Sequence, residues 1–381
     1  MRESVPLTAQ LVSELEELEQ LSEPWRELAH ACACPAALPG WQLAWWRHLA
    51  PQGAQLRAIA VLEQERLVGL APFFVNPGRR VDYRLLGGGM THRVSPLALP
   101  GREQAAAGFV AATLASCEPR PDLIAFEAID ASSPWPDAIA EAWPGKRRPW
   151  RYISSQMPAP VLDLDDQTFE SWLASKSKKF REEMRRAGRS IETAGGRVVL
   201  ASEKPATDRA IEAFVRLHLA RRSERGGSSL SGDWAGMLRD AASDLVARGE
   251  MRLWTLEVAG QFVAVNIVLA AGGVLTGFNT GFDEDFARLE PGHVTTLAAI
   301  EDAFTRGEFR LDTGGGTSEY KRRLTSKDLP ICWTGIVPRT RRYLLTRIRL
   351  FPDQVGWLTT RVARKLPPRW RWRIKRFLRP S

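Results

Sequence analysis

Apolar positions along this chain fall into two rhythms, one near every third or fourth residue and one at every second. Leu11, Leu15, Leu18 and Leu21 keep helical spacing and predict a helix over 10–31. Trp41, Trp45 and Trp46 mark a second helical stretch ending near Pro51. The segment LRAIAVLEQERLVGLAPFFV then reads as a hairpin, with strands at 56–62 and 67–75 and a turn at 63–66. A Gly/Pro-rich loop, LLGGGMTHRVSPLALP, precedes a helix at 103–117 and a strand at 122–128. Pro134, Pro136, Pro144 and Pro149 punctuate a boundary region.

The second half repeats the rhythm at greater length. A strand at 161–164 leads into a helix capped by Asp165, Asp166 or Thr168, which runs on through SKSKKFREEMRRAGR. A strand at 198–200 and a helix at 207–222 follow, the helix carrying Ile211, Phe214, Val215 and Leu219 on one face. After the GGSSLSG loop comes a helix at 234–248. Three strands, 251–258, 262–270 and 274–280, are linked by short Gly-containing turns that suit a meander. A helix at 292–304, a strand ending at Asp312, a short helical segment around Tyr320 and a strand at 331–337 complete the body. The hairpin of the first half and the meander segment MRLWTLEVAGQFVAVNIVLA share one pattern, so the halves echo each other.

Composition narrows the function classes. The chain is an ordinary globular mixture, 44% hydrophobic and 25% charged, with no apolar run long enough to cross a bilayer. Its acidic start has no signal-peptide pattern, so a cytoplasmic protein is expected. Cys32, Cys34, Cys117 and Cys332 show no metal spacing and are expected to be reduced; no metal is expected. The net charge of +9 is unevenly placed. Residues 338–381 hold twelve Arg and two Lys against one acid, a balance of +13, which leaves −4 for residues 1–337. The basic excess therefore belongs to the tail and gives the body no nucleic-acid signature. No Ser-His-Asp order, Walker sequence or dinucleotide GxGxxG stands out.

The chemistry concentrates in RLDTGGGTSEYKRRL, residues 310–324. A short strand ends in an acid, three glycines let the backbone turn sharply, and the next segment presents Tyr320 and Lys321 at the end of a sheet. Asp312 is the candidate general base or acceptor-orienting group; it would serve equally as an Asx turn for the glycines. Upstream, LEPGHVTT places Pro291 in a first helical turn and Gly292 where backbone N–H groups can meet an anion. Asp283, Glu284, Asp285 and Glu290 lie nearby and oppose an anion there. Asn266, inside an apolar strand, needs hydrogen bonds. Lys178, Arg181, Arg185 and Arg189 share one helix face, which suits an anionic substrate or plain solvation.

Taken in order, the basic helix SKKFREEMRR, the segment RLHLARRSERGG, the meander, the Pro-Gly helix start and the Tyr320-Lys321 pair resemble the GNAT acyltransferase superfamily. The nearest branch is the cellulose-biosynthesis-type acetyltransferases, related to the Fem-type aminoacyl transferases of peptidoglycan. The chain departs from such relatives at Ser223, where they often carry Trp, and at Leu324-Thr325, where they often carry an aromatic-Gly pair.

The resemblance implies an α/β (α+β) fold of tandem GNAT-like domains, with mainly antiparallel central sheets flanked by helices. The expected division is an N-terminal domain at 1–155, a catalytic domain at 156–337 and a basic, aromatic tail at 338–381. The implied donor is acetyl-CoA, cradled by Leu289, Glu290, Pro291, Gly292, His293 and Val294, with Asn266 along the pantetheine. Asp312, Tyr320 and Lys321 are the implied catalytic residues, Tyr320 protonating the departing sulfur. Lys178, Arg181, Arg185, Gly314, Gly315 and Gly316 are expected at the acceptor, an amine of a cell-envelope or exopolysaccharide precursor. The alternatives are an aminoacyl-tRNA-dependent Fem-type transferase, where tRNA is the nucleic-acid partner, and a non-catalytic membrane-associated component of a polysaccharide-synthesis complex. In the tail, Leu344, Ile348 and Phe351 share a face, as do Trp370, Ile374 and Phe377, with Pro352 and Pro367-Pro368 cutting it into short pieces. Such segments suit the inner face of an anionic membrane, packing on the body, or a nucleic acid whose phosphates and bases meet the Arg and aromatic side chains.

Overall fold

The computed structural model describes residues 6–76, 78–223 and 232–365. Strand β1 (Leu7–Val12) is followed by α1 (Leu15–Gln20), α2 (Ser22–Ala31) and α3 (Pro39–Leu49). Next come β2 (Gln55–Glu63), β3 (Arg66–Asn76), β4 (Asp82–Leu85), β5 (Leu97–Ala98), α4 (Glu103–Ser116), β6 (Leu123–Asp130), α5 (Trp135–Glu141) and β7 (Trp150–Met157). The chain continues through β8 (Pro160–Asp163), α6 (Phe169–Ser175), α7 (Lys178–Thr193), β9 (Arg197–Ala201), α8 (Lys204–Ser223) and α9 (Trp234–Leu245). It closes with β10 (Met251–Val258), β11 (Gln261–Ala271), β12 (Val274–Phe282), α10 (Pro291–Thr305), β13 (Arg310–Asp312), α11 (Glu319–Leu324), β14 (Lys327–Asp328), β15 (Ile331–Val337) and α12 (Tyr343–Lys365).

These elements form two compact units. One holds residues 6–18, 51–158 and 330–365, the other residues 19–50 and 159–329. This division departs from the sequence-based boundaries at both ends. α2 and α3 belong with the second unit, where α3 packs on α9 and Arg26 pairs with Asp244. β15 leaves the second unit and lies between β6 and β7 in the first. Gly335 makes that place possible. A Cβ there would stand 2.6 Å from the Tyr152 ring and 2.9 Å from the Ile124 carbonyl oxygen.

The first sheet runs β1-β2-β3-β4-β6-β15-β7, with β5 on β3; the second runs β14-β8-β13-β12-β11-β10-β9. Four consecutive antiparallel strands open each sheet from one edge, β1 to β4 and β9 to β12. In each, a helix then leads to a parallel neighbour: α4 to β6 beside β4, and α10 to β13 beside β12. The echo seen in the sequence is thus a repeat of topology. In the second unit, α10, α6 and α7 build a core on one face around Leu162, Trp172, Phe180, Val268, Ile300 and Leu311. On α8, Phe214 meets Phe278 of β12, whose ring also stacks on Trp234 of α9.

Several local expectations change. The N-terminal helix at 10–31 is a strand and two helices. LTAQLV pairs with β2, so Leu11 belongs to a two-residue rhythm. The helix through 165–189 is interrupted at Lys176. Ser177 starts α7 as its N-cap, its hydroxyl accepting from the Phe180 N–H, while Thr168 and Ser171 form a capping box on α6. Pro352 does not divide the tail, because α12 passes through it on an exposed side where water can serve the carbonyl that loses its partner. Trp370, Ile374, Phe377 and Pro367-Pro368 lie outside the described residues.

Candidate active site

The second sheet opens where its one parallel pair ends. β13 pairs with β12 only over Val274–Thr276 and Arg310–Asp312, while β12 runs on to Phe282. β12 also carries a bulge against β11, where Ile267 faces Asn279 but Val268 faces Gly277. The bulge twists the strand at the point where its neighbour stops. A cavity of about 240 Å³ fills the resulting gap, and Asn266, Thr280, Thr296, Asp312, Tyr320 and Lys321 are among its lining residues. Four of the residues chosen from sequence, Asn266, Asp312, Tyr320 and Lys321, therefore meet at one place.

Asp312 is buried at 1% exposure, and its Oδ1 accepts the Gly314 N–H at 2.7 Å. This is an Asx turn, with Gly314 at φ 75° and Gly316 at φ 96°, values that favour glycine. Lys321 folds back over the turn, its Nζ donating to the carbonyls of Gly314 (3.1 Å) and Gly315 (2.9 Å). Burial lowers the Lys321 pKa, and the Asp312 charge partly restores it. Gly314 and Gly315 thus present their carbonyls to this lysine. The acid, the glycines and the lysine form one self-bonded loop at the cavity wall.

Tyr320 reaches toward the start of α10. Its hydroxyl lies 3.5 Å from the Gly292 carbonyl oxygen. Burial pushes its pKa well above that of an ordinary tyrosine, against a smaller opposing effect of a hydrogen bond with Thr296. The phenol accordingly stays protonated at neutral pH. The His293 ring meets Tyr320 edge-on at 4.5 Å, and its Nδ1 lies 2.8 Å from Glu290 Oε2.

Thr296 and Thr280 escaped the sequence reading. Thr296 Oγ1 donates to the Gly292 carbonyl at 2.8 Å and lies 3.5 Å from Asn266 Nδ2. Thr280 Oγ1 donates to Asn266 Oδ1 at 3.0 Å, which satisfies the amide inside its apolar strand. Thr296 stands four residues after Gly292, one helical turn along the same face. That spacing was the available signal.

The α10 start holds Leu289, Glu290, Pro291, Gly292, His293 and Val294 together, outside the cavity lining. Leu289 and Val294 are buried in the core. Glu290 takes the left-handed conformation, φ 51°, and its carbonyl receives the N–H groups of His293 and Val294. Pro291 has no N–H, so of the first turn only the Gly292 amide is placed for an anion. A Cβ at Gly292 would make only ordinary contact with the Phe282 ring, at 3.7 Å.

The basic face of α7 lies apart. Lys178, Arg181 and Arg185 do not line the cavity. Arg181 Nη1 donates to the carbonyls of Ala174 and Lys176, which closes the α6–α7 corner. Lys178 is exposed beside Glu182 at 3.9 Å, and Arg185 is exposed. Among the described residues no group of His, Cys, Asp or Glu is arranged to hold a metal ion.

A family described as an acetyltransferase (GNAT) domain matches residues 178–322, from α7 to α11. That segment has a GNAT-like fold, and the first sheet repeats the topology of the second. FemX superposes on this chain with a TM-score of 0.59 at 11% identity, covering 88% of this chain and 99% of its own. The C-terminal domain of an Agrobacterium fabrum protein described as a lysylphosphatidylglycerol synthetase gives 0.54 at 10% identity, covering 87% and 95%. A conserved Bacteroides thetaiotaomicron protein of unknown function gives 0.51 at 11%, covering 86% and 100%. At such identities these likenesses are of fold. No curated protein sequence matches the chain. The matched GNAT segment contains the cavity with its Tyr320-Lys321 wall.

Proposed function

We propose that the second GNAT-like unit transfers an acyl group from a thioester, by default acetyl-CoA, to an amine. The observation that carries this reading is the half-buried Tyr320, which lines the cavity at the β12–β13 splay and sets its hydroxyl 3.5 Å from the Gly292 carbonyl oxygen at the α10 start. In this scheme the acceptor nitrogen attacks the thioester carbonyl carbon. The C–S bond breaks, the phenol passes its proton to the leaving thiolate, and the amine proton goes to the Asp312 carboxylate. Asn266 and Thr296 line the approach of the donor, and the Gly292 amide faces its diphosphate. A cell-envelope or exopolysaccharide amino sugar is the acceptor class we favour, in keeping with the cellulose-biosynthesis-type resemblance.

One observation favours a second reading, an aminoacyl-tRNA donor. The α10 start offers a diphosphate little beyond the Gly292 amide, and the Glu290 carboxylate stands beside it. An ester donor without a diphosphate would not meet that repulsion. Calorimetric titration with acetyl-CoA and with charged tRNA separates the two. Micromolar binding of acetyl-CoA, followed by acyl-amine formation on a panel of amino sugars, supports the first reading. Binding of charged tRNA alone replaces it with the second.

A further inference from the structure

In the first unit, α12 packs on the sheet by one side only. Tyr343 and Leu350 are buried against Leu123, Ala125, Tyr152 and Val337, and Arg347 lies over the rings of Trp150 and Tyr343. A neighbouring side, about 100° round the helix, is apolar and open. Leu344 is 70% exposed, Ile348 69%, Phe351 59% and Leu358 44%. With half-buried Val355 they recur at steps of four and three, so they form one continuous stripe along the helix. Exposed large apolar side chains in such a row mark an interaction surface.

The segment that leads into this helix is strongly basic. Between Pro338 and Leu350 stand five arginines and no acid. Arg339, Arg341 and Arg342 also line a cleft of about 1250 Å³, together with Arg120, Lys146 and Arg147. Two acids share the lining. Glu118 lies 3.5 Å from Arg120, and Asp122 accepts from the Val81 N–H and the Thr340 hydroxyl. The cleft keeps a formal charge of +4. The segment that lines the cationic cleft therefore leads directly into the helix that carries the exposed apolar stripe.

We propose that this face docks on an anionic phospholipid bilayer, with headgroup phosphates in the arginine cleft and the Leu344–Leu358 stripe lying in the acyl boundary. An amphipathic helix with basic flanks binds the interface in this way, and no described helix is long and apolar enough to cross a membrane. A second copy of the chain fits less well, since pairing two stripes would bring two sets of the five arginines together and Pro352 would interrupt the seam. Single-stranded RNA would use the cleft but leave the aliphatic stripe in water. The proposal does not depend on which donor the second unit uses.

Flotation of the full chain tests it, with vesicles of phosphatidylglycerol in phosphatidylcholine and of phosphatidylcholine alone. The wild type is expected to float with the anionic vesicles only, and less at high salt. Leu344→Ser, Ile348→Ser and Phe351→Ser together are expected to lower binding more than tenfold at any salt, while circular dichroism stays unchanged, because these side chains are exposed. Arg147→Glu with Arg341→Glu is expected to lower it more than fivefold, as each basic residue near an anionic surface contributes about 1 kcal/mol. Three results would overturn the proposal: no flotation of the wild type, undiminished flotation of the serine variant, which would leave charge alone as the cause, or retention on single-stranded RNA but not on vesicles.

Discussion

The Tyr320 hydroxyl and the Gly292 carbonyl oxygen lie 3.5 Å apart, though 28 residues separate them in the chain. Their meeting joins the two stretches in which the chemistry resides, the start of α10 and the segment after the glycine turn. It also sets the scale of the site: Tyr320 of α11 stands within one contact of the α10 start.

Tyr320→Phe is therefore expected to lower turnover by about 10²–10⁴-fold with donor affinity nearly unchanged. Steady-state kinetics with the identified acceptor, beside calorimetry of the donor, measures both. Turnover within about threefold of wild type, well below that range, would make Tyr320 a packing residue.

Gly292→Glu should abolish acetyl-CoA binding in a protein that still folds. A Cβ at this position makes only ordinary contact with the Phe282 ring, so the helix survives. The added carboxylate would stand where the diphosphate is proposed to lie. Titration with acetyl-CoA reads the loss, and unchanged affinity would remove the α10 start from the donor site.

Lys321→Met should loosen the glycine turn by removing the ammonium that holds the Gly314 and Gly315 carbonyls. In the wild type, burial lowers the Lys321 pKa below the ordinary 10.5. The charged form is thus lost at a lower pH than in a free lysine, and activity should fall as pH rises through that folded value. A pH–rate profile that keeps the same alkaline limb in Lys321→Met would separate the limb from this lysine.

Arg252 is 6% exposed and pairs with Asp302 at 3.0 Å and Glu308 at 2.5 Å, both largely buried. Arg252→Met would leave the Glu308 carboxylate without its paired cation, while Asp302 keeps Arg306 at 2.9 Å. A loss of about 3–5 kcal/mol is expected from breaking such a buried pair. Urea denaturation followed by tryptophan fluorescence gives the shift in midpoint.

Asp163 supplies a test by acid. Burial alone would raise its pKa, but Lys327 and Arg310 outweigh burial and hold it below the ordinary 3.8. Its folded pKa is depressed, so its stabilising contribution is present above 3.8 and is lost as pH falls through the folded value. Asp163→Asn should be less stable than wild type at neutral pH, and the two should converge in strong acid. A constant gap across the acid transition would contradict this.

Much of the secondary structure was legible from local pattern. The hairpin of β2 and β3, the meander of β10 to β12, the Pro291 helix start and the glycine turn each announce themselves within a few residues, because side-chain period and turn chemistry are local. The choice of Asp312, Tyr320, Lys321 and Asn266 came from the same stretches and from the resemblance, and the fold places all four on one cavity. The basic face of α7 shows the limit of such reading. Spacing put Lys178, Arg181 and Arg185 on one side of a helix, but only packing revealed that Arg181 is spent on the α6–α7 corner.

What the chain alone determined was the rhythm of its elements, the echo between its halves and the concentration of charge after Pro338. Tertiary structure decided which sheet each strand joins. β15 carries an apolar pattern that suits either sheet, and pairing with β6 and β7 across Gly335 is a long-range contact that leaves no mark on its neighbours in sequence. The same holds for Thr296, whose hydroxyl matters only because β11 brings Asn266 and α11 brings Tyr320 beside it. Side-chain period reports which face a residue takes on its own element. It carries no information about which distant backbone that face will meet, and at this site that meeting makes the cavity.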